Sequence, residues 1–329
     1  MGAPDVLVLG GGVAGLSAAA ALSRDHTVLL LEREALLASH ASGRNAAIFR
    51  PLERDESSAR LARRSLALMA ELAESSQPLL QRTGLLLAET RRDQALGWLE
   101  HGRAQGVACE LLEGAAPSER APSLEGGQVS CGVLVEDGGV LDVHRLNTTL
   151  ARAARALGAD LRTGSDVASL RVERERIAGV ALADGTFLPA GAIVLAAGAF
   201  SVALASTCGA DLPLVPLRRH LVQLQPQADR PLAADHPVVW RVDDELYYRP
   251  ESGGVLASPC DEVAWPAGEP QPDPAALETL AAKLTRTAPQ LASSRVVRSW
   301  ACLRTFAPDR ELVVGPDERI AGLFWLCGL

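Results

Sequence analysis

The sequence predicts an α/β fold in which a doubly wound, Rossmann-type domain is interleaved with a domain built on a mixed, largely antiparallel sheet. Three observations carry this. An apolar run at residues 5–9 ends in glycines, passes into a small-residue segment and returns as a second apolar run closing on Glu32. Residues 214–258 alternate in strand-like fashion and are broken by loops rich in Pro, Gly and Asp. Between these regions, residues 192–197 form another buried apolar run closed by Gly198, which returns the chain to the first sheet.

The elements follow in order. Residues 5–9 and 27–31 are short, apolar and partly β-branched, which suits buried parallel strands. Residues 13–22 are small and apolar throughout, as a helix packed tightly on a sheet requires. Residues 56–74 change to a helical period, with Leu61, Leu68, Met69 and Leu72 on one face, and residues 84–88 read as a strand. Asp142 is an N-cap for a helix carrying Leu146, Leu150 and Leu157, with Gly158 as its stop. Residues 167–172 and 176–183, with a tight Asp184-Gly185 turn, predict an antiparallel hairpin. Asp273 caps a further helix with Pro274 in its first position, running to about Ala288. The pattern divides into a nucleotide-binding unit (1–85, 142–205 and 305–329) and a substrate unit (86–141 and 206–304).

Composition narrows the function. With 329 residues, 48% of them hydrophobic, the chain can bury a substantial core. A net charge of −8 without a long basic block gives no footprint for nucleic acid. The six cysteines are widely separated, which argues against a disulfide framework or zinc site and fits a reducing cytoplasm. No apolar run is long enough to span a membrane, and the glycine-interrupted N-terminal stretch lacks a basic leader. His26, His101, His144 and His236 read as surface residues.

Gly10, Gly12 and Gly15 form G-x-G-x-x-G between a strand and a helix. The first permits the turn, the second lets the backbone approach a pyrophosphate, and the third lets helix and strand pack closely. Glu32, 17 residues after Gly15, stands where an acid accepts ribose hydroxyls. This cradle alone does not separate FAD from NAD. The polar stretch SHASGRNAA that follows supplies further donors for a larger cofactor, although a solvated loop is the alternative.

The stretches VLVLGGGVAGLSAAAAL, SHASGRNAA, IVLAAGAFS and SWACLRTFAPDRE, in this order and spacing, resemble the D-amino acid oxidase/dehydrogenase family of FAD enzymes, a group that includes glycine and sarcosine oxidases. PLRRHLVQL, DELYYRP and WACLRTF bring the likeness nearest to bacterial D-arginine dehydrogenase-like members. The resemblance implies bound FAD. Gly10, Gly12, Val13, Ala14, Gly15, Glu32 and Arg33 would hold its ADP half. Ser42, Gly43, Arg44 and Asn45 would lie along the phosphates and flavin edge, Val167 at the adenine, and Ala197 and Gly198 close to the cofactor. It further implies that Arg304 binds a substrate carboxylate, helped by Tyr247 and Arg219, with His40 near the reactive face of the flavin. The family normally continues beyond LFWLCGL into a third glycine-rich turn and a helix. Cys302 stands where sarcosine oxidase-like relatives bond the flavin covalently and amino acid dehydrogenases carry a small residue; a buried thiol is the alternative.

The chemistry implied is oxidation of an amino acid at Cα, with oxygen, a quinone or a protein as electron acceptor. It needs an arginine fork for the α-carboxylate and no nucleophile triad or metal. Each residue has a second reading. Arg304 could pair with Asp309 or Glu311, and His40 could be a polar loop residue. Neighbours on a strand face opposite ways, so one of Tyr247 and Tyr248, and one of Arg218 and Arg219, must face away from the site. At the level of function, an N-methyl amino acid or 2-hydroxy acid oxidase, or a non-catalytic flavin-binding subunit or fragment, stand as alternatives.

Overall fold

The computed structural model describes residues 3–73 and 78–328. Six strands form the first sheet, in the order Val313–Pro316, Leu323–Cys327, Ala192–Leu195, Val6–Leu9, Val28–Leu31 and Asp160–Arg162. All neighbours are parallel except the outermost pair, Val313–Pro316 with Leu323–Cys327. Val6–Leu9 lies at its centre with every residue buried, because packing covers both faces. Helices Val13–Leu22 and Val143–Ala156 pack against one face through Leu16, Ala19, Leu150 and Ala154. A three-stranded meander and helix Ser201–Ser206 cover the other.

The second sheet has nine strands. Val215–Gln225 pairs antiparallel with Arg295–Phe306, Gly254–Ser258 and Val263–Ala264. The sheet continues through Leu246–Glu251 and Val238–Arg241 to Leu85–Glu89, which lies parallel to Val238–Arg241, and on to Cys131–Val135 and Cys109–Glu113. Helix Pro274–Thr287 packs on one face through Leu280 and Leu284, and helix Arg92–Ala104 on the other through Ala95 and Leu99. Three short strands, Ile48–Phe49, Gly139–Leu141 and Leu80–Gln81, form a separate sheet.

Local chemistry sets most helix boundaries. Asp142 accepts from Arg145 N at 2.9 Å, and Asp273 accepts from Ala275 N at 3.0 Å, each satisfying an end-group donor that the helix cannot. The helix after Asp55 runs Glu56–Leu72; the expected end at Glu74 lies outside the described residues. One turn differs from expectation. The hairpin Val167–Glu173 and Arg176–Leu182 closes through Arg174 and Glu175, both at positive φ (51° and 60°), and Asp184-Gly185 instead leads into Phe187–Pro189. No described helix is long and apolar enough to cross a membrane.

Candidate functional site

A cavity of about 630 Å³ opens at the carboxyl ends of the parallel strands Val6–Leu9, Val28–Leu31 and Ala192–Leu195, where open α/β sheets hold their ligands. Gly10 sits at φ +108°, and a Cβ there would meet Ala196 O at 2.5 Å. At Gly15 a Cβ would lie 1.9 Å from Gly10 O, so helix and strand touch backbone to backbone. Gly12 caps the helix Val13–Leu22, whose first N–H, on Val13, donates to Ser42 Oγ at 2.9 Å. Both oxygens of Glu32 accept backbone N–H groups, from Gly11 at 2.6 Å and Glu34 at 2.8 Å. Gly10, Gly12, Val13, Ala14 and Glu32 all line the cavity, while Gly15 stands behind it as a packing residue.

The loop after Glu32 wraps the mouth. Asn45 braces it, donating to Ser42 O and accepting from Ala47 N, each at 2.7 Å. Gly43 does not reach the cavity; a Cβ there would strike Ala38 O at 2.2 Å, so its role is to close the turn. Arg44 lines the cavity and forms a two-pronged pair with Glu269, on the loop before helix Pro274–Thr287, 225 residues away. That pairing holds the Glu269 carboxyl below its usual range. His40 also lines the cavity, but its Nε2 lies 3.0 Å from Glu34 and its ring rests 5.3 Å from the Phe200 ring. The Arg33 guanidinium covers Phe200 at 4.2 Å, and Val167, Ala197 and Gly198 complete the wall.

The strand Arg295–Phe306 brings Cys302 and Arg304 to the same cavity. Antiparallel register sets Arg219 opposite Cys302 and Leu217 opposite Arg304, which puts all four on one face of the sheet. No hydrogen bond or ion pair joins Arg304 to another described residue; its nearest recorded partner is the Phe306 ring, 5.5 Å away. Burial, with repulsion from Arg219, pulls its pKa below the ordinary arginine value, yet a guanidinium stays charged. Arg219 is committed elsewhere. It pairs with Glu262, which also takes Arg310 at 2.6 and 2.8 Å. Arg218, on the opposite face, binds Asp273 at 2.8 Å and covers Trp265.

Tyr247 and Tyr248 face opposite ways. Tyr248 hydrogen-bonds Ser123 Oγ at 2.7 Å in the core. Tyr247 does not line the cavity; it sits in an apolar cluster with Leu221, Leu256 and Cys260, near enough to Arg304 and Arg219 to feel their charge. Burial pushes its phenol up to about 12, so it is a neutral hydroxyl at physiological pH. Cys302 is buried, and burial raises its thiol against the pull of Arg304.

Sequence reasoning missed the residues that position this face. His220 Nδ1 lies 2.6 Å from Asp261, and its Nε2 accepts from Asp273 N at 2.8 Å, tying the strand Val215–Gln225 to the helix cap at Asp273. Their only sequence signal is a polar residue within an apolar strand. His236, read as a surface residue, is buried against Ser123 at 2.9 Å, and burial holds it down at about 4.

Glu262 yields a testable pH effect. Its hydrogen bonds from Arg310 and then Arg219 lower its carboxyl from 4.5 to about 2. The folded value is depressed, so the stabilisation is complete above about pH 4.5 and is lost as pH falls towards about 2. Glu262→Gln should therefore be less stable than the parent by on the order of 1–2 kcal/mol at neutral pH. The gap should close on acidification, read as Tm against pH; a gap that persisted at the acid end would overturn the assignment.

The geometry of the cavity fits a dinucleotide, since a glycine cradle, an acid at the second strand and a donor-bearing loop converge on one elongated space. Among curated proteins, D-amino acid dehydrogenase of Cereibacter sphaeroides is 32% identical over 253 residues, covering 74% of this chain and 54% of that protein. The 4-methylaminobutanoate oxidase (formaldehyde-forming) of Paenarthrobacter nicotinovorans is 27% identical over 339 residues, covering 98% of this chain and 41% of its own. The chain thus spans about half the length of the curated relatives it matches. The crystal structure of L-proline dehydrogenase from P. horikoshii superposes with a TM-score of 0.89 at 22% identity, covering 98% of this chain and 87% of that one, a likeness of fold. The sequence profile described as FAD dependent oxidoreductase (DAO) matches residues 5–329, and the chain belongs to that family.

Proposed function

We propose that this chain oxidises the Cα–N bond of a D-amino acid to the imine, with FAD held in the cavity described above. One observation carries the reading: Arg304 lines the same cavity as the glycine cradle and has no acidic partner among the described residues. A half-buried guanidinium without an ion pair is a ready fork for a carboxylate. FAD, when bound, would supply the acceptor for the hydride from Cα, and the amine would lose one N–H proton to solvent as the C=N bond forms.

The chain's own residues do the rest. Gly10, Gly12, Val13, Ala14 and Glu32 would hold the ADP half, with Gly15 and Gly43 keeping the backbone close. Ser42, Arg44 and Asn45 would follow the phosphates and flavin edge, and Val167 would meet the adenine. Arg33, Ala197 and Gly198 would complete the contact. Arg304 would orient the α-carboxylate so that Cα meets the reactive ring, and Tyr247, neutral and buried behind the cavity, would back this face. Arg219, neutralised by Glu262, and His40, held by Glu34, would shape the site from its edges. The two large sheets support a division into a nucleotide unit and a substrate unit, with the strands Leu85–Glu89 and Arg295–Phe306 running across its bounds.

The relative that acts on 4-methylaminobutanoate aligns over nearly the whole chain and supports a second reading, an N-methyl amino acid substrate. Anaerobic mixing of the FAD-loaded protein with D-, L- and N-methyl amino acids separates these. Loss of yellow colour with D-amino acids, and release of ammonia and an oxo acid on turnover, is expected. Bleaching confined to N-methylated compounds, with formaldehyde as product, would favour the second reading. No bleaching by any of them would favour a non-catalytic flavin-binding role and sink the proposal.

A further inference from the structure

A second cavity, of about 390 Å³, lies on the second sheet and shares no residue with the first. It opens at the carboxyl ends of the parallel strands Leu85–Glu89 and Val238–Arg241, under helix Arg92–Ala104. Gln94, Gly97, Trp98 and His101 line it, at the spacing that sets residues on one helical face. Glu89, at the end of its strand, is 2% exposed. Its Oε1 accepts from Trp98 Nε1 at 3.2 Å, while Oε2 has no hydrogen-bond partner among the described residues. The Gln94 side-chain oxygen is buried and unpartnered in the same way. Unsatisfied buried acceptors of this kind are costly and call for a donor.

Gly97 is an independent sign. A glycine inside a helix costs about 1 kcal/mol relative to alanine. Nothing in the chain requires one here, since a Cβ would meet no atom within 4 Å. Gly97 is exposed at the rim of the cavity, and its missing side chain leaves that rim open. The charges narrow the ligand. Asp243 lines the cavity but is held by Arg241 at 2.8 and 3.0 Å, and the Arg54 guanidinium sits 5.3 Å over the Trp98 ring. Glu89 forms no direct ion pair among the described residues, although the charges of Arg241 and Arg54 act on it from nearby. The space is too large for a bare metal ion, and no group of three metal-ligating side chains occurs among the described residues.

We propose that this cavity is a second binding site, for a small organic ammonium cation held by Glu89 Oε2 and the Gln94 side-chain oxygen beside the Trp98 indole. Ammonium N–H groups satisfy both acceptors, and the alkyl part fills the space beside Gly97 and Val242. The groups around Glu89 are Asp243, Arg241, Arg54, Arg91, Cys131 and His101. Burial, then Asp243, raises the Glu89 carboxyl from 4.5 to about 7. A cation binds the ionised form, so affinity is full above that value and weakens as pH falls below it.

Titration calorimetry of the purified protein with n-butylammonium tests this without reference to flavin or turnover. Saturable binding is expected at about pH 8, weakened about tenfold at about pH 6, with none for 1-butanol. Glu89→Gln, nearly isosteric, should weaken binding at least tenfold with little change in Tm. Gly97→Leu should abolish it, and Arg304→Ala should leave it unchanged. No saturable heat at the higher pH, equal binding of the alcohol, retention in Glu89→Gln, or loss in Arg304→Ala would each overturn the proposal. Should Gly97→Leu fail to fold, the Glu89→Gln comparison decides.

Discussion

Arg304→Ala should lower kcat/KM on the best amino acid substrate by roughly a hundredfold to ten-thousandfold while leaving FAD content unchanged. The range follows from two charge-assisted hydrogen bonds of about 1.5–3 kcal/mol each, lost together, at about 1.4 kcal/mol per factor of ten. The surroundings support the full effect. Arg304 is half-buried and makes no hydrogen bond or ion pair among the described residues, with Glu53 acting on it only through its charge, so its fork is open to a substrate carboxylate. Asp309 and Glu311, the surface partners that its sequence position allowed, are otherwise engaged. Asp309 accepts from Glu311 N at 3.0 Å, and Glu311 accepts from Ser58 Oγ at 3.1 Å. Lysine at position 304 should restore only part of the loss, since a point charge cannot reproduce a planar fork. Arg219→Ala is the internal control. Its guanidinium already serves Glu262, so its loss should mainly lower Tm and change kcat/KM less than Arg304→Ala does. A drop of less than fivefold in Arg304→Ala with FAD intact would mean that the carboxylate is bound elsewhere.

What the sequence made legible was whatever depends on near neighbours. The strand Val6–Leu9 and the helix Val13–Leu22 follow from a buried apolar run and a small-residue face. The caps at Asp142 and Asp273 follow from a side-chain oxygen two or three residues before the N–H that it satisfies. Strand alternation alone foretold that Tyr247 and Tyr248 would part. The partners of the site residues were not legible, because sheet order and register decide them. Arg44 finds Glu269 across 225 residues, and Arg219 finds Glu262 across 43. Nothing in either local stretch encodes those meetings, so the sequence offered Arg219 as a helper at the carboxylate without showing the Glu262 that pairs with it. The buried His220–Asp261 pair and the cavity at Glu89 were missed for the same reason. Each depends on strands distant in sequence lying side by side.

Substitutions at Gly12 and Gly15 should both remove FAD, by different physical routes, and the comparison tests the cradle. At Gly15 an added Cβ would lie 1.9 Å from Gly10 O and 3.3 Å from Val8 Cγ1, and neither the backbone nor a central strand can yield. Gly15→Val should force the helix Val13–Leu22 off the sheet and cost at least the 1–3 kcal/mol typical of overpacking, roughly, with the phosphate-facing end displaced as well. Its FAD-free form should melt several degrees lower. At Gly12 the nearest atom is Ser42 Oγ, at 2.9 Å, the end of a side chain that can rotate at the cost of the one hydrogen bond it takes from Val13 N. Gly12→Val should therefore keep the melting temperature of the FAD-free protein close to that of the parent. It would still fill the approach to the helix N-terminus, where a pyrophosphate must come within hydrogen-bond reach of backbone N–H groups. Losing that approach should weaken FAD binding by at least a hundredfold, on the order of two or more charge-assisted hydrogen bonds. The measurements are flavin-to-protein ratio, FAD dissociation constant and Tm without FAD, for both variants. A Gly12→Val protein that bound FAD as tightly as the parent would place the pyrophosphate elsewhere and remove the cradle from the site.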